Sequence, residues 1–271
     1  MLIKDKIAVI TGAASGIGRA TAAELARRGV RGIALVDMAE AVNEVAAELN
    51  AINGHEIARP FQGNTTDENF RREVFKTMRR DYGVVNLCIP AAGITRDRLA
   101  VKIDKNTKQA DVYPVENFRL VTEVNLIAPI YWALETVANL AQDRAERGVG
   151  KWHPTEGLQG AIIFIGSVSS QGNKGQISYS TAKAGLEGAA ETLMKEAIFY
   201  GVRCGVIHPG FTDTPMVRAM GDAYIEANVL PATQLGRLIR TDEIADAICF
   251  MITNSAVSGQ LWADAGWHPM P

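Results

Sequence analysis

The sequence predicts an α/β fold: a single doubly wound domain over residues 1–271, with a mostly parallel seven-stranded sheet and helices on both faces. Three observations predict it. Short apolar runs alternate with helix-length amphipathic segments along the chain. The runs lack the apolar–polar alternation of a half-exposed strand, as expected for strands buried on both faces. The first run leads directly into a glycine-rich turn that opens a helical pattern. Strand–helix alternation of this kind builds a parallel sheet covered on both sides.

The elements follow in order. "KIAVIT" is the first strand, and residues 17–28 the first amphipathic helix. "GIALVD" is the second strand, followed by a helix over 39–50. A third strand ends before Asn64 and precedes a helix over 67–81. "NLCIPAAG" is the fourth strand, and a long helical pattern covers 115–147. "AIIFIGS" precedes a helix over 176–200, then come "VRCGVIHPG" and the closing run "GQLWADAG". Two polar segments, 95–114 and 147–160, read as loops. Both fit surface decoration. The first also fits substrate binding, because it leaves the carboxyl end of a strand, where sheets of this type bind ligands.

Composition excludes several classes. The chain is 47% hydrophobic and 21% charged with a net charge of -2, so no nucleic-acid or membrane-surface signal is present. No stretch approaches the ~18 apolar residues of a membrane span. Cys88, Cys204 and Cys249 sit in apolar runs without metal-like spacing, which points to reduced core thiols and no metal site. The short apolar run near the N-terminus enters a glycine turn instead of a signal-cleavage site. A cytoplasmic protein is expected; a matrix or stroma protein without its transit peptide reads the same.

"TGAASGIG", Thr11 to Gly18, places Gly12, Gly16 and Gly18 between the first strand and the first helix. Glycine permits the tight turn and lets a phosphate-bearing ligand approach the backbone, here around Ser15 and Ile17. The helix N-terminus adds free N–H groups and partial positive charge. Asp37 ends the second strand. Its carboxylate can accept hydrogen bonds from a ribose diol and repels a 2′-phosphate. A helix N-cap is its other reading. Ala14 and Ser15 stand where a basic residue would favour that phosphate, so NAD is expected over NADP.

"SYSTAKAG" places Tyr179 and Lys183 four residues apart, on one face of a helix. A solvated surface pair has the same spacing. A proton-transfer pair, with the ammonium tuning the phenol, is the other reading, and the spacing alone does not decide between them. An ammonium near a phenol favours the phenolate and lowers its pKa.

Six motifs in order, "TGAASGIG", "AAG" (Ala91, Ala92, Gly93), "VNL", "GSVSS", "YSTAK" and "PGFTDT", resemble the short-chain dehydrogenase/reductase family over essentially the whole chain. The resemblance implies a Rossmann-type domain and a catalytic set of Asn125, Ser167, Tyr179 and Lys183. It gives Tyr179 the role of general acid in reduction and base in oxidation. Ser167 would hold the substrate oxygen, Lys183 the ribose hydroxyls, and Asn125 a water leading from Lys183 to solvent. The resemblance further implies cofactor contacts at Asn64, Thr65, Pro209, Gly210, Thr212 and Thr214. Two departures stand out. Ser167 lies one residue closer to Tyr179 than is usual, which leaves Ser169 as its competitor. Pro90-Ala91 replaces the usual Asn-Asn pair, and proline is awkward in a central strand.

"AAGITRDRLAVKI" resembles 3-oxoacyl-carrier-protein reductases, whereas Asp37, the insertions and the "WADAGWHPMP" tail resemble type II 3-hydroxyacyl-CoA dehydrogenases. Both imply a 3-oxoacyl or 3-hydroxyacyl thioester, with five basic residues between Arg96 and Lys108 available to phosphates. Another secondary alcohol, such as a steroid, polyol or xenobiotic, shares the same motifs. A non-catalytic NAD-binding protein is the remaining alternative. Residues 212–237, rich in Met, Ala and Leu, are expected to form a mobile cover over the substrate. The resemblance implies pairing through the two long helices into a homodimer or homotetramer.

Overall fold

The computed structural model describes residues 1–267. The last four residues of the tail, 268–271, lie outside the described residues. Seven strands form one sheet: β1 (Ile7–Thr11), β2 (Gly32–Asp37), β3 (Ala58–Gln62), β4 (Leu87–Pro90), β7 (Gly160–Ile165), β8 (Val202–Pro209) and β9 (Gly259–Ala263). Their order is β3-β2-β1-β4-β7-β8-β9, and every pairing is parallel. The central strands β1, β2, β4 and β7 are buried, apart from Asp37 at the end of β2. That burial is why their sequences run apolar without alternation.

Helices cover both faces. α1 (Gly16–Arg27), α2 (Val42–Asn53) and α9 (Thr241–Thr253) pack on one side, around Leu25, Leu49 and Ile248. α3 (Glu68–Asp81), α5 (Ala128–Glu146) and α6 (Ile177–Glu196) pack on the other, around Phe75, Trp132 and Leu186. The long pattern over 115–147 is broken in three: α4 (Val115–Thr122), a π-helical turn at Glu123–Ile127, then α5. The chain reverses direction across the sheet between β1 and β4, so a crevice opens at the carboxyl ends of these strands.

The segment over 95–114 is not the plain loop expected. It carries an antiparallel hairpin, β5 (Val101–Ile103) and β6 (Ala110–Val112), whose strand residues are all exposed. Tyr113 fastens its base to the start of α6: the phenol donates to the Arg96 carbonyl at 2.7 Å and meets the Ser178 hydroxyl at 2.8 Å. The segment over 147–160 is held by the buried guanidinium of Arg144, which reaches the Gly150 carbonyl at 2.8 Å and Glu156 at 2.7 Å.

Pro90 sits without conflict. It is the last residue of β4, and the pairing of β4 with β7 ends two residues earlier, at Cys88 opposite Ile162. No ladder bond to β7 is formed at the position where proline lacks an N–H.

Candidate active site

The glycine loop is built by close packing. Gly12 adopts φ +66°, and a Cβ there would lie 2.8 Å from the Ala92 nitrogen and 2.9 Å from the Ala91 carbonyl. The loop after β1 therefore rests directly on the loop after β4. Thr11 joins them by accepting from the Ala92 N–H at 3.1 Å. Gly18 approaches the Gly12 carbonyl so closely that a Cβ would sit 2.2 Å from it. Gly16, at φ +54°, faces the Thr214 side chain, with Cγ2 at 3.1 Å from a Cβ. Ser15 is exposed at the N-cap of α1, and its hydroxyl makes no capping bond. Ile17 packs against the core on the same side.

Asp37 does not cap α2, whose N-cap is Ala41. Its carboxylate instead accepts from the Ala14 N–H at 3.0 Å and the Ala39 N–H at 3.0 Å. The carboxylate thus lies against the glycine loop, where a diol would complete its hydrogen bonds. Asn64 is exposed after β3, its side chain accepting from the Thr66 N–H at 3.0 Å. Thr65 is buried, and its carbonyl accepts from the Trp132 indole at 2.9 Å. Across the crevice, Gly210 crosses Asp264 closely, with 2.7 Å from a Cβ to the Asp264 carbonyl. Thr212 is buried and donates to the Gly210 carbonyl at 3.1 Å. Thr214 caps the short helix α7 (Pro215–Arg218). The residues expected to contact a dinucleotide therefore lie at or just after the carboxyl ends of β1, β2, β3, β4 and β8.

Ser167, Tyr179 and Lys183 meet beside them. Ser167 follows β7 in extended backbone; its hydroxyl accepts from the Ser169 N–H at 3.1 Å, and it lines the same cavity as Tyr179. Ser169 lines the same cavity, and its hydroxyl accepts from the Asn173 amide at 3.3 Å. Lys183 is buried, and its ammonium donates to the Ile165 carbonyl at 2.7 Å. It lies 5.6 Å from the centre of the Tyr179 ring.

Burial pushes the Tyr179 phenol up to about 12; the Ser167 hydroxyl opposes this and Asp97 adds to it. Burial also pulls the Lys183 ammonium down to about 8. Desolvation is the larger cause in both. Asn125 is fully buried in the π-helical turn, and its side chain accepts from the Ile94 N–H at 2.9 Å and donates to the Ile94 carbonyl at 2.8 Å. These bonds fasten the chain after β4. Gly93 fits between Asn125 and Lys183, with a Cβ 3.5 Å from one and 3.9 Å from the other.

Ser167 and Tyr179 open into a cavity of about 530 Å³. Asp97, Asn173, Met216, Tyr224 and Trp267 share its wall. A cavity of about 580 Å³ opens at the other end of the strands, around Trp152 and Arg203, and no candidate residue lines it. The sequence reading missed Thr11, Asp97, Asn173 and His208. Thr11 and His208 carry a local signal, a polar residue ending an apolar strand run; the other two belong to loops with none.

A profile of the short chain dehydrogenase family matches residues 6–224. The chain is 33% identical over 257 residues to the 3-oxoacyl-[acyl-carrier-protein] reductase FabG of Escherichia coli K12, covering 94% of this chain and 93% of that one. It is 28% identical over 258 residues to the human 3-oxoacyl-[acyl-carrier-protein] reductase, covering 95% of each. A solved short-chain type dehydrogenase/reductase from Mycobacterium marinum superposes with a TM-score of 0.82 at 23% identity, over 98% of this chain and 97% of that one. That likeness concerns the fold. The family match and the shared length together place this chain, an oxidoreductase acting on CH–OH or keto groups with a nicotinamide cofactor, in the short-chain dehydrogenase/reductase family.

Proposed function

We propose that the protein interconverts 3-oxoacyl and 3-hydroxyacyl thioesters with NAD(H), using Tyr179 as the proton-transfer group. One observation carries the mechanism: Ser167 and Tyr179 line the same cavity of about 530 Å³, with the Lys183 ammonium 5.6 Å from the centre of the Tyr179 ring. A bound nicotinamide supplies or accepts the hydride. Reduction leaves a substrate oxyanion that needs a proton. Tyr179, protonated throughout the neutral range, donates it. Ser167 holds the same oxygen against the phenol. Lys183 would engage the ribose hydroxyls of the bound cofactor, and Asn125 fixes the chain at Ile94, next to Gly93. Oxidation runs the proton the other way and needs the phenolate, so its rate rises with pH.

The Asp37 carboxylate supports NAD over NADP, since a 2′-phosphate beside it would be repelled. The names of the curated relatives support a thioester substrate. Residues 212–237 support a cover: Met216 and Tyr224 line the cavity, while Ile225, Val229 and Leu238 form a small apolar cluster of their own. Exposed Leu120, Ile127, Tyr131 and Leu134 on the α4–α5 side support pairing of subunits there. The three free, buried cysteines suit a reducing compartment such as the cytoplasm.

The test is NADH or NADPH oxidation with acetoacetyl-CoA, simple ketones and steroids as substrates. The reading expects acetoacetyl-CoA with NADH to turn over at least tenfold faster than any other combination. A flat response to acetoacetyl-CoA overturns the substrate, and equal use of NADPH overturns the cofactor choice.

A further inference from the structure

His208 is the only fully buried histidine among the described residues, and the mechanism above does not use it. It lies at the end of β8, immediately before Pro209. The pairing of β7 with β8 holds through Ile165 opposite Ile207, and Gly166 adds a last backbone bond to the Ile207 carbonyl at 2.7 Å. Proline at 209 has no N–H with which to continue. The imidazole of His208 takes over there. Its Nδ1 receives the Ser167 N–H at 3.3 Å, lies 3.2 Å from the Ser167 carbonyl oxygen and 3.4 Å from the Ser170 hydroxyl. Gly166 is glycine for the same reason, since a Cβ would lie 2.6 Å from Nδ1.

The surroundings fix the ring. The Trp262 indole stacks on it at 4.1 Å between centroids, 13° from parallel. Its Nε2 faces the Gln260 amide oxygen at 3.2 Å, and the Gln260 nitrogen donates to Glu187 at 3.4 Å. The Glu187 carboxylate therefore orients the glutamine, and the glutamine calls for a proton on Nε2. With the proton there, Nδ1 accepts from the Ser167 N–H; the other tautomer would instead donate to the Ser167 carbonyl. The charged groups facing the ring are Glu187 and Lys183 of α6; β7 and β9 contribute none. Burial holds the imidazole below its ordinary range, so the neutral form persists at neutral pH.

We propose that His208 is a positioning residue that sets Ser167 against Tyr179, acting through an Nε2-protonated ring whose Nδ1 accepts the Ser167 N–H. This rests on the proposed roles of Ser167 and Tyr179. Without the acceptor, the Ser167 N–H is buried and unpaired, and the turn that aims the hydroxyl loses its anchor.

Three proteins test it: wild type, His208→Leu, and His208→Asn, whose amide oxygen can stand near the place of Nδ1. In NADH-dependent reduction of acetoacetyl-CoA, His208→Leu is expected to lose about tenfold in kcat with KM for NADH within about twofold of wild type. His208→Asn is expected to recover most of that loss. Equal impairment of both variants overturns the proposal, because a ring that merely fills space predicts that result; so does a His208→Leu kcat within about twofold of wild type. Nitrogen-15 NMR of the wild-type imidazoles decides even if the leucine variant does not fold. A buried ring protonated at Nε2 at pH 7 supports the proposal, and a proton on Nδ1 overturns it. Absence of turnover in all three proteins contradicts the functional reading instead, and leaves the tautomer to judge His208.

Discussion

Lys183 points its ammonium at the Ile165 carbonyl in a buried site, so its charge is held at a cost. The folded pKa of about 8 lies below the ordinary value of 10.5. Below pH 8 both folded and unfolded chains carry the proton, and the burial penalty is fully expressed. Between pH 8 and 10.5 the folded chain sheds it first, so stability rises with pH across that window. Tyr179 acts oppositely: its folded value of about 12 against 10.0 lowers stability as pH climbs through that higher range. Lys183→Met should therefore stabilise the protein at pH 7, by up to about 3 kcal/mol, and flatten the rise above pH 8. Urea unfolding at pH 7 and pH 9.5 checks this; an unchanged slope contradicts it. Tyr179, Lys183 and Ser167 were legible because their spacing is local or ends a recognisable strand. The high phenol pKa was not, since burial depends on what closes over the ring.

The glycine loop and the π-helical turn show the same contrast at the level of elements. Gly12, Gly16 and Gly18 were legible because a strand-to-helix turn this tight admits little else. Gly12→Ala forces a side chain into φ +66° and onto the Ala91–Ala92 backbone. It should destabilise the fold by more than about 1 kcal/mol and abolish measurable NADH binding by fluorescence titration. Retained binding contradicts the packing described. The π-helical turn was invisible because one inserted residue in a long apolar-periodic stretch leaves the pattern nearly helical. Its consequence is that Asn125 turns inward to both polar groups of Ile94. Asn125→Ala strands those groups and should cost about 2–3 kcal/mol in unfolding free energy. A loss under about 0.5 kcal/mol would show that Ile94 finds other partners. The exposed hairpin β5–β6 was read as a loop because three-residue strands with no buried face leave no period in the sequence.

At the scale of the molecule, the sheet order follows from alternation of strand and helix, and the crevice from the reversal between β1 and β4. That is why fold and reaction class were readable from one chain. The substrate was less so. The cavity wall is assembled from Thr95, Asn173, Met216 and Trp267, which lie in separate loops and share no pattern. The central claim is that Tyr179 is the proton donor beside a nicotinamide crevice. Its most direct test compares wild type with Tyr179→Phe in NADH-dependent reduction of acetoacetyl-CoA, alongside NADH binding. The account predicts that Tyr179→Phe folds, binds NADH within about threefold of wild type, and loses turnover by at least about a thousandfold. Turnover within tenfold of wild type, with binding intact, would contradict it.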